Sequence, residues 1–322
     1  MASLKKSWHF LGASVLALQN HTLPENLTNE SIALTNDVPS NIVTASQQRV
    51  YPKLAMLSLE SVVDDTSVAD ANVAWKPAHS NAFLTLQQLY EEGYDIILLS
   101  SLVKHDESKE KLKPWQKEVR RQEKQLLEWK SQQENQAHSP EIGNIEIPKP
   151  EFLSVKDLVL EENEKFLERI ESLIDALHIP VSVYVALAND MYAIPARGMF
   201  DLILDQYYDL WAKHTAKDPP ATLIDPALSF YVGERSGGLL SSSDHGLSSS
   251  SDGKGSGGVV GEVQYKPADD RAFAHNIGLS YLKPALLFNA TSPVERGQVV
   301  ANADKLMQEM EPAWKYYGYV AC

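Results

Sequence analysis

"KLAMLSLESVVDD", residues 53–65, decides the fold. Leu54–Leu59 is a short apolar run interrupted only by Ser58, too short for a free-standing helix. It suits a strand covered on both faces. The next segments of the chain set its partners. "SNAFLTLQQLYEEG" (80–93) spaces Phe83, Leu86, Leu89 and Tyr90 as one helical face, and Gly93 is a natural stop. "YDIILLSS" (94–101) is a second short apolar strand. Strand, helix and strand with tight links form a βαβ unit, so the sequence predicts an α/β fold around a parallel sheet.

Further along, "VSVYVAL" (181–187), "LSFYVGE" (228–234) and "LSYL" (279–282) are expected strands. "GMFDLILDQYYDLW" (198–211) and "DDRAFAHNIG" (269–278) are expected helices. A further strand is expected at Ser14–Leu18, in preference to a secretory signal, because no small-x-small cleavage site follows the apolar stretch. Residues 104–178 interrupt this rhythm as a helical insertion. Within it Trp115, Val119, Leu126 and Trp129 mark an amphipathic helix that either lies on its own domain or serves as a partner-binding arm. One helix from about Ser154 to His178 comes after it, with Phe166, Leu167, Ile170, Leu173, Ile174 and Leu177 as its stripe. Residues 235–261 hold a Gly/Ser-rich loop expected to be disordered. Ser292, Pro293 and Glu295 open a helix to about Met310, ahead of the aromatic tail Trp314–Tyr319. The expected division is therefore 1–48, an N-terminal strand and polar extension; 49–288, the α/β domain; and 289–322, a C-terminal helix and tail.

The 322 residues carry a net charge of −14 and a single cysteine, Cys322. The acidity disfavours general binding to nucleic acid, which needs positive charge against phosphates. One cysteine excludes intramolecular disulfides and suits a reducing, intracellular compartment. No apolar run is long enough to span a bilayer.

Four blocks, in order, resemble the phosphatase domain of polynucleotide kinase/3′-phosphatases, within the haloacid dehalogenase superfamily. "KLAMLSLESVV" is similar to a pattern with an aspartate, a spacer and a second aspartate at the strand tip. "AW" and "EEGYDIILLSSL" resemble the second block, and "IPVSVYVALANDMYAIPARGMFD" the third. "FYVGERSGG" with "DDRAFAHNIGLSYLKP" resembles the fourth. The resemblance implies a three-layer, Rossmann-like sheet with a helical insertion, a nuclear DNA-repair ancestry and a Mg²⁺-dependent hydrolysis through an aspartyl-phosphate. A cytoplasmic or organellar location remains compatible with the residues. No G-x-x-x-x-G-K-[ST] loop appears, so no kinase half is expected.

Carried over residue by residue, the reaction centre is depleted. Ser58 stands at the nucleophile, Glu60 at the proton shuttle, Ser100 at the phosphate-binding hydroxyl and Ile194 at the phosphate-binding lysine. Ala193 and Gly238 stand where the family has arginines. Glu60, Glu234 and Asp270 are the carboxylates that could hold Mg²⁺ weakly, and no cofactor is expected. A serine needs an adjacent base to attack, and without the lysine no fixed charge faces the phosphoryl group. The sequence thus points to a catalytically inactive relative acting as a structural or interaction subunit, with a protein partner engaged through residues 104–136 or the C-terminal tail. Two other readings stand beside it. One is a residual or altered phosphatase in which Glu60 attacks, and the other a DNA-end binding module.

Overall fold

The computed structural model describes residues 8–12, 14–21, 51–64, 75–102, 114–137, 154–214, 219–236 and 269–311. The Gly/Ser-rich stretch beyond Ser236 and the aromatic tail lie outside them. The chain divides into two compact units. One comprises Met1–Val103 with Leu173–Cys322, the other Lys104–Ser172.

The first unit is built on a seven-stranded sheet. Its strands are β1 (Trp8–Leu11), β2 (Val15–Leu18), β3 (Lys53–Ser58), β4 (Tyr94–Ser101), β5 (Ser182–Ala186), β6 (Phe230–Val232) and β7 (Ser280–Leu282). They lie in the order β1-β2-β5-β4-β3-β6-β7. Pairing is parallel throughout the run β5, β4, β3, β6 and β7. β1 and β2 form an antiparallel hairpin, and β2 also runs antiparallel to β5. The expected parallel sheet is therefore mixed, and the single N-terminal strand is two. Gly12, at φ +55°, makes the tight reversal between them possible without a Cβ penalty.

β3 is central, and all its residues from Leu54 to Ser58 are buried, which is why its apolar residues do not alternate. One core cluster gathers Met56 and Leu54 of β3, Ile97 and Leu99 of β4, Tyr184 of β5 and Tyr231 of β6. Helices follow the strands: α1 (Leu59–Val62), α2 (Ala82–Glu91), α6 (Gly198–His214) and α7 (Asp269–Ile277). In α2 the buried face is Ala82, Thr85, Leu86 and Leu89, while Tyr90 is exposed. The face is thus rotated from the expected one, which leaned on Tyr90. The C-terminal helix is three elements, α8 (Pro284–Phe288), α9 (Pro293–Ala301) and α10 (Ala303–Met310), with Asn302 between the last two. The Asn302 side chain donates to the Gln298 carbonyl at 2.8 Å, a local bond that competes with helix continuation. Ser292 caps α9 by accepting from Glu295 N at 3.2 Å, and the Glu295 carboxylate returns to Thr291 rather than to the cap residue.

In the second unit, α3 (Pro114–Ala137) contacts α4 (Val155–Glu162). The expected single helix after residue 154 is α4 followed by α5 (Glu164–Leu177). Asn163 divides them, its side chain bonding back to the Val159 carbonyl at 2.8 Å.

Candidate functional site

All four sequence blocks end at one edge of the sheet, the carboxyl edge of its parallel strands, where open α/β folds bind ligands. Ser58 closes β3, Ser100 and Ser101 close β4, the 187–197 loop leaves β5, and Gly233-Glu234-Arg235 leaves β6. α7 brings Asp269 and Asp270 to the end of β6.

Ser58 is buried, and its Oγ lies 2.5 Å from Ser61 Oγ, one turn on in α1. That hydroxyl is the partner the structure gives it. Neither an imidazole nor a carboxylate is within hydrogen-bond reach of Ser58 among the described residues. Two hydroxyls can exchange one proton, but neither is a base at neutral pH.

Glu60, in the first turn of α1, is half-exposed and faces Arg235, with Nη2 3.9 Å from Oε2. Arg235 is the residue that the sequence reading missed. Its Nη1 lies 3.4 Å from Asp269 Oδ2 and its Nε 3.7 Å from Asp270 Oδ2. Its backbone N–H donates to Asp270 Oδ2 at 2.9 Å. Tyr231 Oη donates to the other carboxylate oxygen of Asp270, also at 2.9 Å. Gly233 makes this approach feasible, since a Cβ there would stand 2.4 Å from Asp270 Cβ. The signal for Arg235 was present in "GERSGG", because a long charged side chain stands where the family pattern has alanine.

Electrostatics follow from this packing. Burial pushes the Asp270 carboxyl above the ordinary carboxylate range, against the opposing pull of the Arg235 charge and of the bonds from Arg235 N and Tyr231. Burial works against the Arg235 charge, but Asp270, Glu60 and Asp269 hold its guanidinium firmly protonated. Burial, then Asp270, drives the Tyr231 phenol well above its usual value, so it remains a donor.

Glu234 turns elsewhere, its Oε1 3.1 Å from His79 Nε2. The three carboxylates named from the sequence as metal ligands are therefore not arranged as one set. Glu60 and Asp270 meet at Arg235, and Glu234 meets His79. Mg²⁺ requires oxygens converging at about 2.0–2.1 Å in near-octahedral geometry. Carboxylates spread around a guanidinium do not offer that, so the residues present do not fit the family's metal.

Ala193 and Ile194 are buried in the core cluster. The loop that carries them is anchored on both sides. Ser14 Oγ donates to Asp190, and Asn276 Nδ2 donates to the Pro195 carbonyl at 2.9 Å. Ser100 is partly buried at the tip of β4. Just beyond Arg235, Ser236 Oγ donates to Glu311 Oε1 at 2.7 Å, and Arg271 and Lys283 pair with the same carboxylate.

In α3, Trp115 is buried, and its backbone N–H donates to Glu162 Oε2 of α4 at 3.3 Å. Of the four residues named for a partner-binding arm, Trp115 therefore serves the interior of its own unit. Val119, Leu126 and Trp129 are partly buried, and Leu127 is exposed. Among the described residues, no helix is long and apolar enough to cross a membrane.

The family model described as polynucleotide kinase 3 phosphatase matches residues 153–288. This match agrees with the resemblance read from the third and fourth blocks, and the α/β architecture is consistent with it. The matched stretch holds the third and fourth blocks, whereas Ser58, Glu60 and Ser100 precede it. Comparison with curated proteins gave no match.

Proposed function

We propose that this protein is a non-catalytic relative of the polynucleotide 3′-phosphatases, retained for its shape as a structural or interaction subunit. The observation that carries the reading is Ser58, at the nucleophile position, paired hydroxyl to hydroxyl with Ser61 and with no base in reach among the described residues. Ile194 adds to it, because a buried aliphatic side chain replaces the charge that would hold the transferring group. Loss of nucleophile and lysine together removes the two groups on which an enzymatic enhancement of about 8 kcal/mol or more would rest. Attack by Glu60 is disfavoured, because its carboxylate faces the Arg235 guanidinium rather than an open metal site. The partner surfaces proposed are the exposed side of α3 around Leu127 and, from the sequence alone, the aromatic tail Trp314–Tyr319, which lies outside the described residues. A nuclear setting accords with the family's ancestry.

The test is phosphate release from a 3′-phosphorylated oligonucleotide in Mg²⁺. No turnover above the buffer rate is expected. Turnover that vanishes in Ser58→Ala or Glu60→Gln would overturn the proposal.

A further inference from the structure

The acidic edge of the sheet is an awkward object for a chain whose net charge is already −14. Glu60 from α1 and Asp269 and Asp270 from α7 converge on one side chain, and Asp270 is fully buried. In an active relative such carboxylates are neutralised by a divalent ion. Here a side chain occupies their centre. Arg235 Nη1, Nε and Nη2 each face a different carboxylate, at 3.4, 3.7 and 3.9 Å. Its side chain is 27% exposed, so the guanidinium is inserted among these groups rather than extended into solvent. Its own backbone N–H fixes Asp270 from the same residue.

We infer that Arg235 is a built-in replacement for the metal ion, so that this acidic cluster is completed by a covalently supplied cation and neither requires nor binds a divalent one. The inference rests on the non-catalytic reading and deepens it at the same site. Three physical reasons support it. A guanidinium spreads one charge over three nitrogens, so one cation can neutralise carboxylates from separate elements; here Nη1 alone is within hydrogen-bond reach, of Asp269 at 3.4 Å, and Asp270 and Glu60 are held by charge at 3.7 and 3.9 Å. A permanent positive charge within 4 Å of each carboxylate repels a second cation and takes the space its ligands would close around. Burying Asp270 without a partner would be costly, so removal of a partner is felt in stability whatever the chemistry.

The experiment measures Mn²⁺ binding by electron paramagnetic resonance, and thermal melts in EDTA and in Mg²⁺, on the full chain and on R235A and D270N. In the wild type no saturable Mn²⁺ binding that depends on Asp270 is expected, and Tm is expected to be the same in EDTA and Mg²⁺. R235A should melt lower by about 2–4 °C or more and regain part of that loss in Mg²⁺. Saturable Mn²⁺ binding to the wild type that disappears in D270N would overturn the inference. So would an R235A variant that melts as the wild type does in EDTA. Should R235A fail to fold, the comparison of wild type with D270N decides alone. Phosphate release measured in parallel keeps the two claims apart. A metal-bound but inactive wild type defeats only the inference, and an active, metal-free one defeats only the non-catalytic reading.

Discussion

Ser58 shows how one atom's environment decides a chemistry. Its hydroxyl is spent on Ser61, which is itself buried. Ser58→Ala should therefore leave phosphate release at the buffer rate while destabilising the fold by about 1–3 kcal/mol, because Ser61 loses its partner without access to water. Denaturant titration checks the second part. Glu311 gives a pH-dependent counterpart. Burial pushes its carboxyl up, but hydrogen bonds from Lys283 and Ser236 and the charges of Lys283 and Arg271 prevail, and its pKa is lowered from 4.5. A depressed carboxylate pKa contributes stability above the unfolded-state value and loses it as pH falls through the folded one. Glu311→Gln should lower Tm at neutral pH, and the gap to wild type should close as pH falls below about 4.5. A gap that persists in acid would mean the contact is not electrostatic. The substitutions at Ser58 and Ile194, on which the non-catalytic proposal rests, are visible in the sequence because each changes the kind of group at a motif position. The gain at Arg235 was harder to see. It lies inside a motif whose other residues drew attention, and its meaning depends on Glu60 and Asp269, which are distant in sequence.

At the scale of elements, continuous apolar runs announced β3, β4 and β5, since strands buried on both faces have no polar side to show. Helix interruptions were not announced. Asn163 and Asn302 stop helices by bonding to carbonyls four residues back, Val159 and Gln298, and asparagine within a helical stripe reads equally well as a surface position. Nor did periodicity reveal how α9 is held. Arg296 is almost fully buried there, its Nη1 donating to Gln88 Oε1 at 2.8 Å and its Nε to Glu92 Oε1 at 3.1 Å, so that α9 is tied to α2. Arg296→Ala should cost up to about 3–5 kcal/mol, seen as a lower denaturant midpoint, because Glu92 is left beside a cavity without its cation. A near-neutral result would show that Glu92 reaches water unaided. Gly233→Ala should also destabilise, by about 1–3 kcal/mol, since the new methyl must displace Asp270.

At the scale of the whole molecule, the proposal is that the hydrophobic frame has been kept while the reaction centre has changed. The family match covers residues 153–288, which hold β5, β6 and β7 of the seven-stranded sheet. The antiparallel pair β1 and β2 was only half legible, since four-residue strands give too short a pattern to separate one strand from two. The site edge could be placed from sequence because every motif fell at a strand's end. Its electrostatics could not, because they arise where α1, β6 and α7 converge. On the proposed reading, three features act at this edge among the described residues: no basic partner for Ser58, isoleucine rather than lysine at position 194, and Arg235 among the carboxylates. If those three features act together, no single restoration revives turnover. Ser58→Asp and Ile194→Lys, each alone, should remain at the buffer rate. The most direct measurement is therefore Mg²⁺-dependent release of inorganic phosphate from a 3′-phosphorylated oligonucleotide by the purified wild-type chain. A rate indistinguishable from buffer is expected, and turnover that is abolished by Ser58→Ala or Glu60→Gln would contradict the claim that this fold has kept its shape and lost its reaction.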